Sequence, residues 1–400
     1  MQTGDLKFIK SLNGQQVLNL IRKQEVISSS ELVQKTKLRP STIFNILKNL
    51  SERNLITNLG KGDSTEKGGK KPFMWELNKD AAYTIGLDIE INQLRIVVVD
   101  LVGNVLFDKV VKFASLKNVE DLYKVIQTNV ESTIIEQNLK NKILGLGIAL
   151  PAIVKANTGH IIRTDIVSNK DIPLAQKLSE IFEFPIYIEN NANATAIGAK
   201  WLGAAKGCRN FLVVLAEFDK GIGGFGLGIV IDENIYYGHS YCAGELNIPL
   251  MNLEQMMIYI RNDLDKSEYL REYDSRPDDI TLDVLISAAQ FGDELAIKLF
   301  KKLGNQIGEI VNHSISLLNP EALIIAGTIS DLKEIIIEPI KEIISLKSLP
   351  FIHEPLKIST SLQGPRAVAL GAASLILNDF FKIPVIKRKG LNNQISVLPH

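Results

Sequence analysis

The stretch Glu189-Asn190-Asn191-Ala192-Asn193-Ala194 places one carboxylate beside three amide side chains. A general base has to accept and hold a proton near neutral pH, which a carboxylate does and the amide of Asn191 does not. That amide still hydrogen-bonds a hydroxyl group, through its oxygen or through its NH2. Asn191 is therefore suited to hydrogen bonding and not to removing a proton.

Strands and glycine turns lie on both sides of this stretch. Before it, strands are predicted at 84–88, 94–100, 103–106 and 143–150, and a helix at 119–137. After it, strands are predicted at 211–215, 226–231 and 234–237, followed by helices at about 281–303 and 304–318. This plan, used twice, predicts a duplicated α/β body of the actin-like, ribonuclease-H-like kind.

Length and charge divide the chain further. The chain has 400 residues, 46% of them hydrophobic. This length exceeds the roughly 250–300 residues that share a single hydrophobic core, so two or three domains are predicted. The 45 basic and 45 acidic residues cancel overall, but residues 1–80 hold 14 basic and 8 acidic side chains, a net charge of +6. That excess of basic residues indicates a domain that binds a polyanion, although chance clustering of solvated lysines is the simpler alternative. We predict domains at 1–80, 81–194 and 195–400, with the final helix returning to the first half of the body.

Composition also restricts the compartment. The chain opens without a basic and apolar signal segment, and its apolar runs fall short of the roughly 18 residues that span a bilayer. We therefore expect a cytoplasmic protein without membrane contact. Cys208 and Cys242 are the only cysteines, too few for a disulfide framework or a Cys-rich zinc site.

Residues 15–50 carry three helical patterns. A first helix is predicted at 15–24, a second after the capping serines 28–30, and a third from Pro40. The third helix has one apolar face and one polar face, and behind two short helices it is the element that enters the DNA major groove. The residues expected to contact DNA are Asn45 and Asn49 on adenine edges, and Ser41, Thr42 and Lys48 on phosphates. A purely structural three-helix bundle is the alternative.

A basic hairpin follows the third helix. Strands predicted at 55–57 and 73–77 flank a glycine-rich tip. The lysines of this tip that we expect to contact DNA are Lys61, Lys67, Lys70 and Lys71. Such a tip can follow the phosphate backbone or enter the minor groove, as the wing of a winged helix-turn-helix domain does. Its alternative interpretation is a solvated loop.

These motifs resemble the ROK family of repressors and sugar kinases over essentially the whole chain. The family's form of the 189–194 stretch is Glu-Asn-Asp-Ala-Asn-Ala, whose Asp takes the proton from the attacking sugar hydroxyl. The loop 238–245, ending Ala-Gly-Glu, resembles the family's sugar loop. Residues 319–327 resemble its segment near adenosine, and 367–373 resemble its closing helix. The basic hairpin resembles its wing, with Lys71 in place of an arginine.

The chain departs from this resemblance at the positions of phosphoryl transfer. Asn191 stands where the family has its catalytic Asp, and Glu90 and Ile91 stand where its kinases have the two glycines of a phosphate turn. A carboxylate there repels phosphates, and both side chains obstruct close approach of the ligand to the backbone. The second phosphate turn, 223–228, keeps its glycines, while Ile248 replaces a zinc-binding His. We therefore expect no catalytic residue, no cofactor and no metal.

The resemblance implies a transcriptional regulator, a repressor of carbohydrate metabolism, with a winged helix-turn-helix domain ahead of an inactive sugar-kinase body. The implied partners are double-stranded operator DNA, a sugar or sugar derivative, and a second copy of the chain in a homodimer or dimer of dimers. The residues expected to hold the effector are Glu189, Asn190, Asn191 and Glu245. A surface ion pair is the simpler role for Glu245. The alternative functions are an ATP-dependent sugar kinase with an appended DNA-binding module and a regulator that responds to a partner protein.

Overall fold

The computed structural model describes residues 3–62, 71–219, 222–246 and 248–384. Within these residues the chain divides into two units. The smaller unit falls within Met1–Tyr83, Asp100–Asn104 and Leu377–His400, and the larger one comprises Thr84–Val99 and Val105–Ile376. The smaller unit is therefore assembled from three separate stretches of the chain.

Three helices and a small sheet form most of the smaller unit. Its elements are α1 (Thr3–Gln24), β1 (Val26–Ser28), α2 (Ser29–Thr36), α3 (Pro40–Glu52), β2 (Ile56–Lys61) and β3 (Phe73–Leu77). The three predicted helices and the two predicted strands are present, but α1 begins at Thr3, twelve residues before the predicted start at residue 15. The sequence does not predict β1, because three residues are too few to show a strand period. β1 pairs antiparallel with β3, which gives the sheet order β1-β3-β2.

Local chemistry determines where α2 and α3 begin. Ser28 Oγ accepts a hydrogen bond from Glu31 N at 3.1 Å, and Glu31 Oε2 accepts one from Ser28 N at 2.9 Å, so a reciprocal capping box starts α2. α2 ends at Thr36, and its C-cap residue Lys37 has a left-handed backbone conformation with a φ of 58°. Pro40 occupies the first turn of α3, where a missing N–H group is tolerated. Only residues 37–39 therefore separate the two helices.

A common core and the end of the last helix hold this unit together. Its fully buried side chains include Val17, Ile21, Leu32 and Ile43. Asn19 Nδ2 donates to Phe381 O at 2.7 Å, and the guanidinium of Arg22 lies 4.9 Å from the centroid of the Phe381 ring. These contacts fix residues near 381 to α1.

The first part of the larger unit is built around a five-stranded sheet. Its elements are β4 (Tyr83–Ile89), β5 (Gln93–Val99), β6 (Val105–Lys112), α4 (Val119–Glu136), β7 (Ile143–Leu150), β8 (Ala152–Lys155), β9 (His160–Thr164), α5 (Leu174–Ser179), β10 (Ile186–Asn190) and α6 (Asn191–Leu202). The sheet order is β10-β7-β4-β5-β6, and β8 and β9 form a separate antiparallel pair. The predicted helix at 119–137 and the predicted strands are confirmed within the usual error of their boundaries, except that β6 ends at Lys112, six residues beyond the predicted end at 106.

A second five-stranded sheet follows in the same unit. Its elements and helices are β11 (Phe211–Asp219), β12 (Ile222–Ile231), β13 (Asn234–Ile235), α7 (Leu253–Ile260), α8 (Leu282–Gln290), α9 (Glu294–Leu318), β14 (Ala322–Ala326), α10 (Glu334–Lys347), α11 (Pro350–His353), β15 (Lys357–Thr360) and α12 (Ala367–Phe380). The sheet order is β13-β12-β11-β14-β15. Short 3₁₀ turns lie at Lys79–Ala81, Arg261–Lys266, Leu270–Tyr273, Pro277–Asp279, Thr328–Leu332 and Gly364–Arg366.

The helix boundary predicted at 303/304 is wrong. α8 ends at Gln290 and α9 begins at Glu294, so the break lies ten residues earlier than predicted. Gly292 adopts a φ of +92° there, and Asp293 Oδ1 caps α9 by accepting from Ala296 N at 3.0 Å. Gly304 lies inside α9 instead, where a Cβ would come within 2.5 Å of Pro339 Cγ on α10. That glycine serves close helix packing and ends no helix.

Close packing of α12 positions the helix that carries the 189–194 stretch. A Cβ at Gly86 of β4 would lie 2.0 Å from Ala369 O, and one at Gly147 of β7 would lie 1.9 Å from Ala372 O. Gly371 of α12 has the same relation to α6, since a Cβ there would lie 2.1 Å from Ala194 O. α12 therefore contacts β4, β7 and α6 directly, with glycine at each contact.

The helices also bear on membrane contact. The longest one in the larger unit, α9, has 25 residues and buries only one of its faces. Among the residues that the structure describes, no helix is both long enough and apolar enough to cross a bilayer.

Candidate functional site

The stretch 189–194 forms the junction between β10 and α6. β10 pairs in parallel with β7, and α6 begins one residue after β10 ends. Asn190 caps the helix, because its Oδ1 accepts from Ala192 N at 2.8 Å and from Asn193 N at 3.3 Å. The turn from strand to helix thus brings Glu189, Asn190 and Asn191 to one place.

Glu189 is a buried carboxylate with several hydrogen-bond donors around it. The residue is 2% exposed, and its Oε2 accepts from the Tyr237 hydroxyl at 2.7 Å. Its Oε1 accepts from Asn190 N at 2.9 Å and from Asn193 Nδ2 at 3.3 Å. Burial raises the pKa of Glu189 to about 7, and these three hydrogen bonds oppose that shift. Glu189 is therefore able to exchange a proton near neutral pH.

Tyr237 is the member of this site that the sequence patterns do not single out. Its hydroxyl donates to Glu189, and burial together with the Glu189 charge raises the pKa of that hydroxyl far above its ordinary value. The Tyr237 ring lies 6.0 Å from the ring of Tyr241, and the Tyr241 hydroxyl donates to Asn157 Oδ1 at 3.4 Å. The sequence did offer a signal for Tyr237. Tyr241 lies in the predicted sugar loop and Tyr237 directly before it, and an aromatic ring with a polar hydroxyl group suits contact with a sugar.

Glu245 joins the site through Asn190. Asn190 Nδ2 donates to Glu245 Oε1 at 3.3 Å and to Ala152 O at 3.0 Å. Glu245 is exposed, and partial desolvation of its carboxyl raises the pKa above the ordinary value. The loop before it depends on Gly244, whose φ is +90° and whose Cβ would come within 1.9 Å of Leu227 O. The structure therefore brings Glu189, Asn190 and Glu245 together, as the sequence predicts.

Asn191 lies at the first position of α6 and is 8% exposed. Its Oδ1 accepts from Ala192 N at 2.9 Å. Its backbone oxygen accepts from the Thr195 hydroxyl at 2.7 Å, within the first turn. An amide held in this way can orient a ligand hydroxyl but has no basic oxygen with which to deprotonate it.

The candidate phosphate turn between β4 and β5 is closed by its own side chains. Gln93 Nε2 donates to Glu90 Oε2 at 2.6 Å, and Glu90 N donates to Gln93 O at 2.9 Å. Asn92 Oδ1 accepts from the Ser115 hydroxyl at 2.9 Å. A turn that carries a carboxylate at this position is unfavourable for an anionic phosphate.

The glycines predicted as a second phosphate turn lie inside β12. Gly226 pairs with Leu215 of β11 and Gly228 pairs with Val213. A Cβ at Gly226 would lie 2.8 Å from Ala192 Cβ, and one at Gly228 would lie 2.6 Å from Ala192 O. These glycines therefore let β12 pack closely against the first turn of α6.

Metal ligands are sparse around the predicted sugar loop. His239 is exposed, and Cys242 Sγ donates to Ser240 O at 3.3 Å. Ile248 is 43% exposed. Within residues 3–62, 71–219, 222–246 and 248–384, no three or more His, Cys, Asp or Glu side chains cluster in a way that would hold a metal ion.

The polar face of α3 forms a second candidate surface, in the smaller unit. Ile43, Ile46, Leu47 and Leu50 of α3 are buried in the core of that unit. Among the predicted DNA contacts on the helix, the exposed residues are Ser41, Asn45, Lys48 and Asn49, while Thr42 is half-buried. Lys61 and Lys71 are exposed at the ends of the hairpin. Lys67 and Lys70 lie outside the described residues.

A family model and two full-length relatives match this chain. The ROK family model matches residues 84–254 and 266–379. A xylose repressor of Caldicellulosiruptor bescii is 28% identical, and the match covers 95% of this chain and 99% of that protein. The transcriptional dual regulator NagC of Escherichia coli is 23% identical, with 94% of each chain covered.

Solved structures show the same fold. A ROK family transcriptional regulator, a homologue of the Escherichia coli MLC protein, superposes with a TM-score of 0.75 at 21% identity, covering 94% of this chain and 97% of that one. A ROK family glucokinase from Streptomyces griseus, solved with glucose and AMPPNP, has a TM-score of 0.62 at 22% identity. That match covers 74% of this chain and 99% of the kinase. The larger unit thus has the actin-like fold of sugar kinases, and the chain belongs to the ROK family.

Proposed function

We propose that this protein is a DNA-binding transcriptional regulator, a repressor of carbohydrate metabolism, whose larger unit binds a sugar or sugar derivative and transfers no phosphate. One observation carries the proposal: Glu189, Asn190, Tyr237 and Glu245 form a connected hydrogen-bonding site, while Asn191 occupies the position of the base. The two relatives named above are regulators and match nearly the whole chain, which supports the same function.

The smaller unit is proposed as a winged helix-turn-helix domain. α2 and α3 are separated by three residues, and the exposed face of α3 carries amides, a hydroxyl and a lysine. Asn45 and Asn49 have the donor and acceptor pair that reads adenine in the major groove. The hairpin of β2 and β3 is the proposed wing, with Lys61 and Lys71 directed to phosphates. Two such units in a homodimer, or four in a dimer of dimers, would require half-sites spaced by about one helical turn or a multiple of it.

The larger unit is proposed as the effector sensor. Glu189 and Glu245 supply carboxyl groups, and Asn190 and Asn191 supply amides, for the hydroxyl groups of a polyol. The effector must bind an open and a closed state of the larger unit with different affinities. A ligand with equal affinity for both states would not change the equilibrium between them. Operator affinity then follows the state that the effector selects.

The experiment that tests this function begins with the purified full-length protein and a random duplex DNA library. Enriched duplexes define the operator, and fluorescence anisotropy then measures operator affinity with and without each member of a sugar and sugar-phosphate panel. We expect one class of sugar to change operator affinity. The Glu245→Gln variant should bind the operator as wild type does and lose that response. A response that survives the substitution would remove Glu245 from the effector site, whereas no response to any sugar would favour regulation by a partner protein.

A coupled assay of ADP release separates this function from the alternative of a sugar kinase. Asn191 provides no base and Glu90 occupies the phosphate turn, so the wild-type chain should release no ADP with any sugar. The Asn191→Asp variant should also release no ADP. It restores the base, but Glu90 still occupies the phosphate turn. Turnover by the wild-type protein that is lost on Asn191→Ala would overturn the proposal.

A further inference from the structure

The polar face of α3 carries one large apolar side chain, that of Phe44. Phe44 is 66% exposed, although its neighbours Ile43 and Ile46 are at most 8% exposed. Ser41 and Lys48 lie three residues before and four residues after Phe44, so the three side chains share one strip of the helix surface. Phe44 therefore belongs to the polar strip and not to the core of the unit.

The folded unit gains little from an aromatic ring at this position. The apolar face of α3 is complete without it, with four buried aliphatic side chains at helical spacing. Lys48, one turn further on, is itself exposed and pairs with Glu52 at 3.8 Å. The Phe44 ring lies in solvent between Ser41 and Lys48, so most of its apolar surface is available to a ligand.

The chemistry of the surrounding residues identifies that ligand. A hydroxyl, an amide and a lysine around Phe44 match the edges and phosphates of a DNA major groove, whose single apolar group is the C5 methyl of thymine. Phenylalanine is among the side chains that contact this methyl. A polar residue at position 44 would add a hydrogen-bonding group and no surface for the methyl.

We propose that Phe44 is a specificity-determining residue that reads the C5 methyl of one thymine in each operator half-site. The proposal rests on the proposed operator binding by α3. Asn45 is the next residue along the helix, so this thymine lies close to the adenine assigned to Asn45. Phe44 discriminates thymine from cytosine, which has no methyl, while Asn45 discriminates adenine.

The test removes the methyl from the DNA and the ring from the protein separately. Duplexes enriched from the random library by wild-type protein supply the operator, and each thymine in turn is replaced by deoxyuridine, which lacks only the methyl. At one thymine per half-site, wild-type affinity should fall by about fourfold, the factor expected for one buried methyl-sized group. The Phe44→Ala variant should bind thymine and deoxyuridine operators equally.

Two controls keep the outcomes separate. The Lys48→Gln variant should bind all operators more weakly and keep the wild-type ratio of thymine to deoxyuridine affinity. Thermal unfolding of the Phe44→Ala variant should match wild type, since the ring is exposed. Failure of the library to enrich any duplex would contradict the proposed function. Enrichment followed by the same deoxyuridine effect in wild type and Phe44→Ala, or by none in either, would overturn the role of Phe44 alone.

Discussion

Hydroxyl and amide side chains are frequent at the start of both α3 and α6. Those of α6 are mostly buried, whereas those of α3 are mostly exposed. On α6, Asn190 caps the helix and Asn191 and Asn193 are buried. On α3, the cap residue Arg39 makes no side-chain capping bond, and Asn45 is exposed. Asparagines at the start of α6 thus make hydrogen bonds within the fold as well as lining the proposed effector site, whereas Asn45 of α3 faces outward.

This difference separates stability from binding. An amide that satisfies buried backbone or carboxylate groups contributes to folding, and its loss leaves those groups unpaired. An exposed amide contributes little to folding, so its substitution changes mainly the affinity for a partner. The two helices should therefore respond in opposite ways to the same Asn→Ala substitution.

The largest expected effect concerns Glu189 and pH. Its pKa is raised from 4.5 to about 7, so the protonated carboxyl is favoured in the folded state. The associated stability is fully present below pH 4.5 and is lost as pH rises to about 7. Relative to the Glu189→Gln variant, wild type should lose on the order of 3 kcal/mol of unfolding free energy across that range. Urea unfolding at both ends of the range measures this.

A second variant sharpens the Glu189 prediction. The Tyr237 hydroxyl lowers the pKa of Glu189 by hydrogen bonding to it, so Tyr237→Phe should raise that pKa. The loss of stability should then extend to higher pH than in wild type. Identical pH profiles for wild type and Glu189→Gln would contradict the assignment of this titration to Glu189.

Asn45→Ala should have the next largest effect, on operator binding alone. Loss of a bidentate contact to adenine costs about 1–3 kcal/mol, which is roughly fivefold to 150-fold in affinity. Unfolding free energy should change by less than about 0.5 kcal/mol, because Asn45 is exposed. Anisotropy titration and urea unfolding of the same preparation measure both. A loss of stability without a loss of affinity would make the α3 surface structural.

Asn190→Ala should reverse that pattern. The substitution removes the cap of α6 and the bonds to Ala152 O and Glu245, and it should cost about 2 kcal/mol of unfolding free energy. Asn118→Ala is the matched control, because Asn118 caps α4 through Asp121 N at an exposed site and should cost about 1 kcal/mol. Equal losses in the two variants would mean that Asn190 acts only as a cap.

Lys48→Gln should have the smallest effect on stability. Lys48 and Glu52 are both more than 60% exposed and 3.8 Å apart, so their pair contributes less than about 0.5 kcal/mol. If Lys48 contacts a phosphate, the slope of log affinity against log salt should decrease by about one unit. Lys177→Gln removes a similar exposed pair with Glu180 and should leave that slope unchanged. An unchanged slope for Lys48→Gln would remove Lys48 from the set of phosphate contacts.

Sequence patterns predicted most elements correctly because each depends on near neighbours. The four aliphatic residues of α3 recur at helical spacing, and the serines before α2 form the expected cap. The same reasoning failed at the boundary of α8 and α9. The predicted break fell at Gly304, but this glycine lies inside α9, where its absent Cβ permits contact with α10, a partner more than 30 residues away.

The candidate sugar site was predicted in part. Glu189, Asn190 and Glu245 do meet, as the resemblance to a kinase motif implies. Tyr237 was missed, because it is 48 residues from Glu189 and reaches it only when β12 packs against α6. The roles of the predicted effector and DNA contacts stay predictions, and the proposed experiments decide them.

The sequence by itself determined most of the predicted elements, the chemical character of Asn191 and Glu90, and the polar face of α3. These depend on residue type and on residues within about four positions along the chain. Only the tertiary structure decided that Glu189 is buried against Tyr237 and that Phe44 is left exposed. Burial and long-range partners determine pKa and accessibility, and both arise from the packing of distant segments.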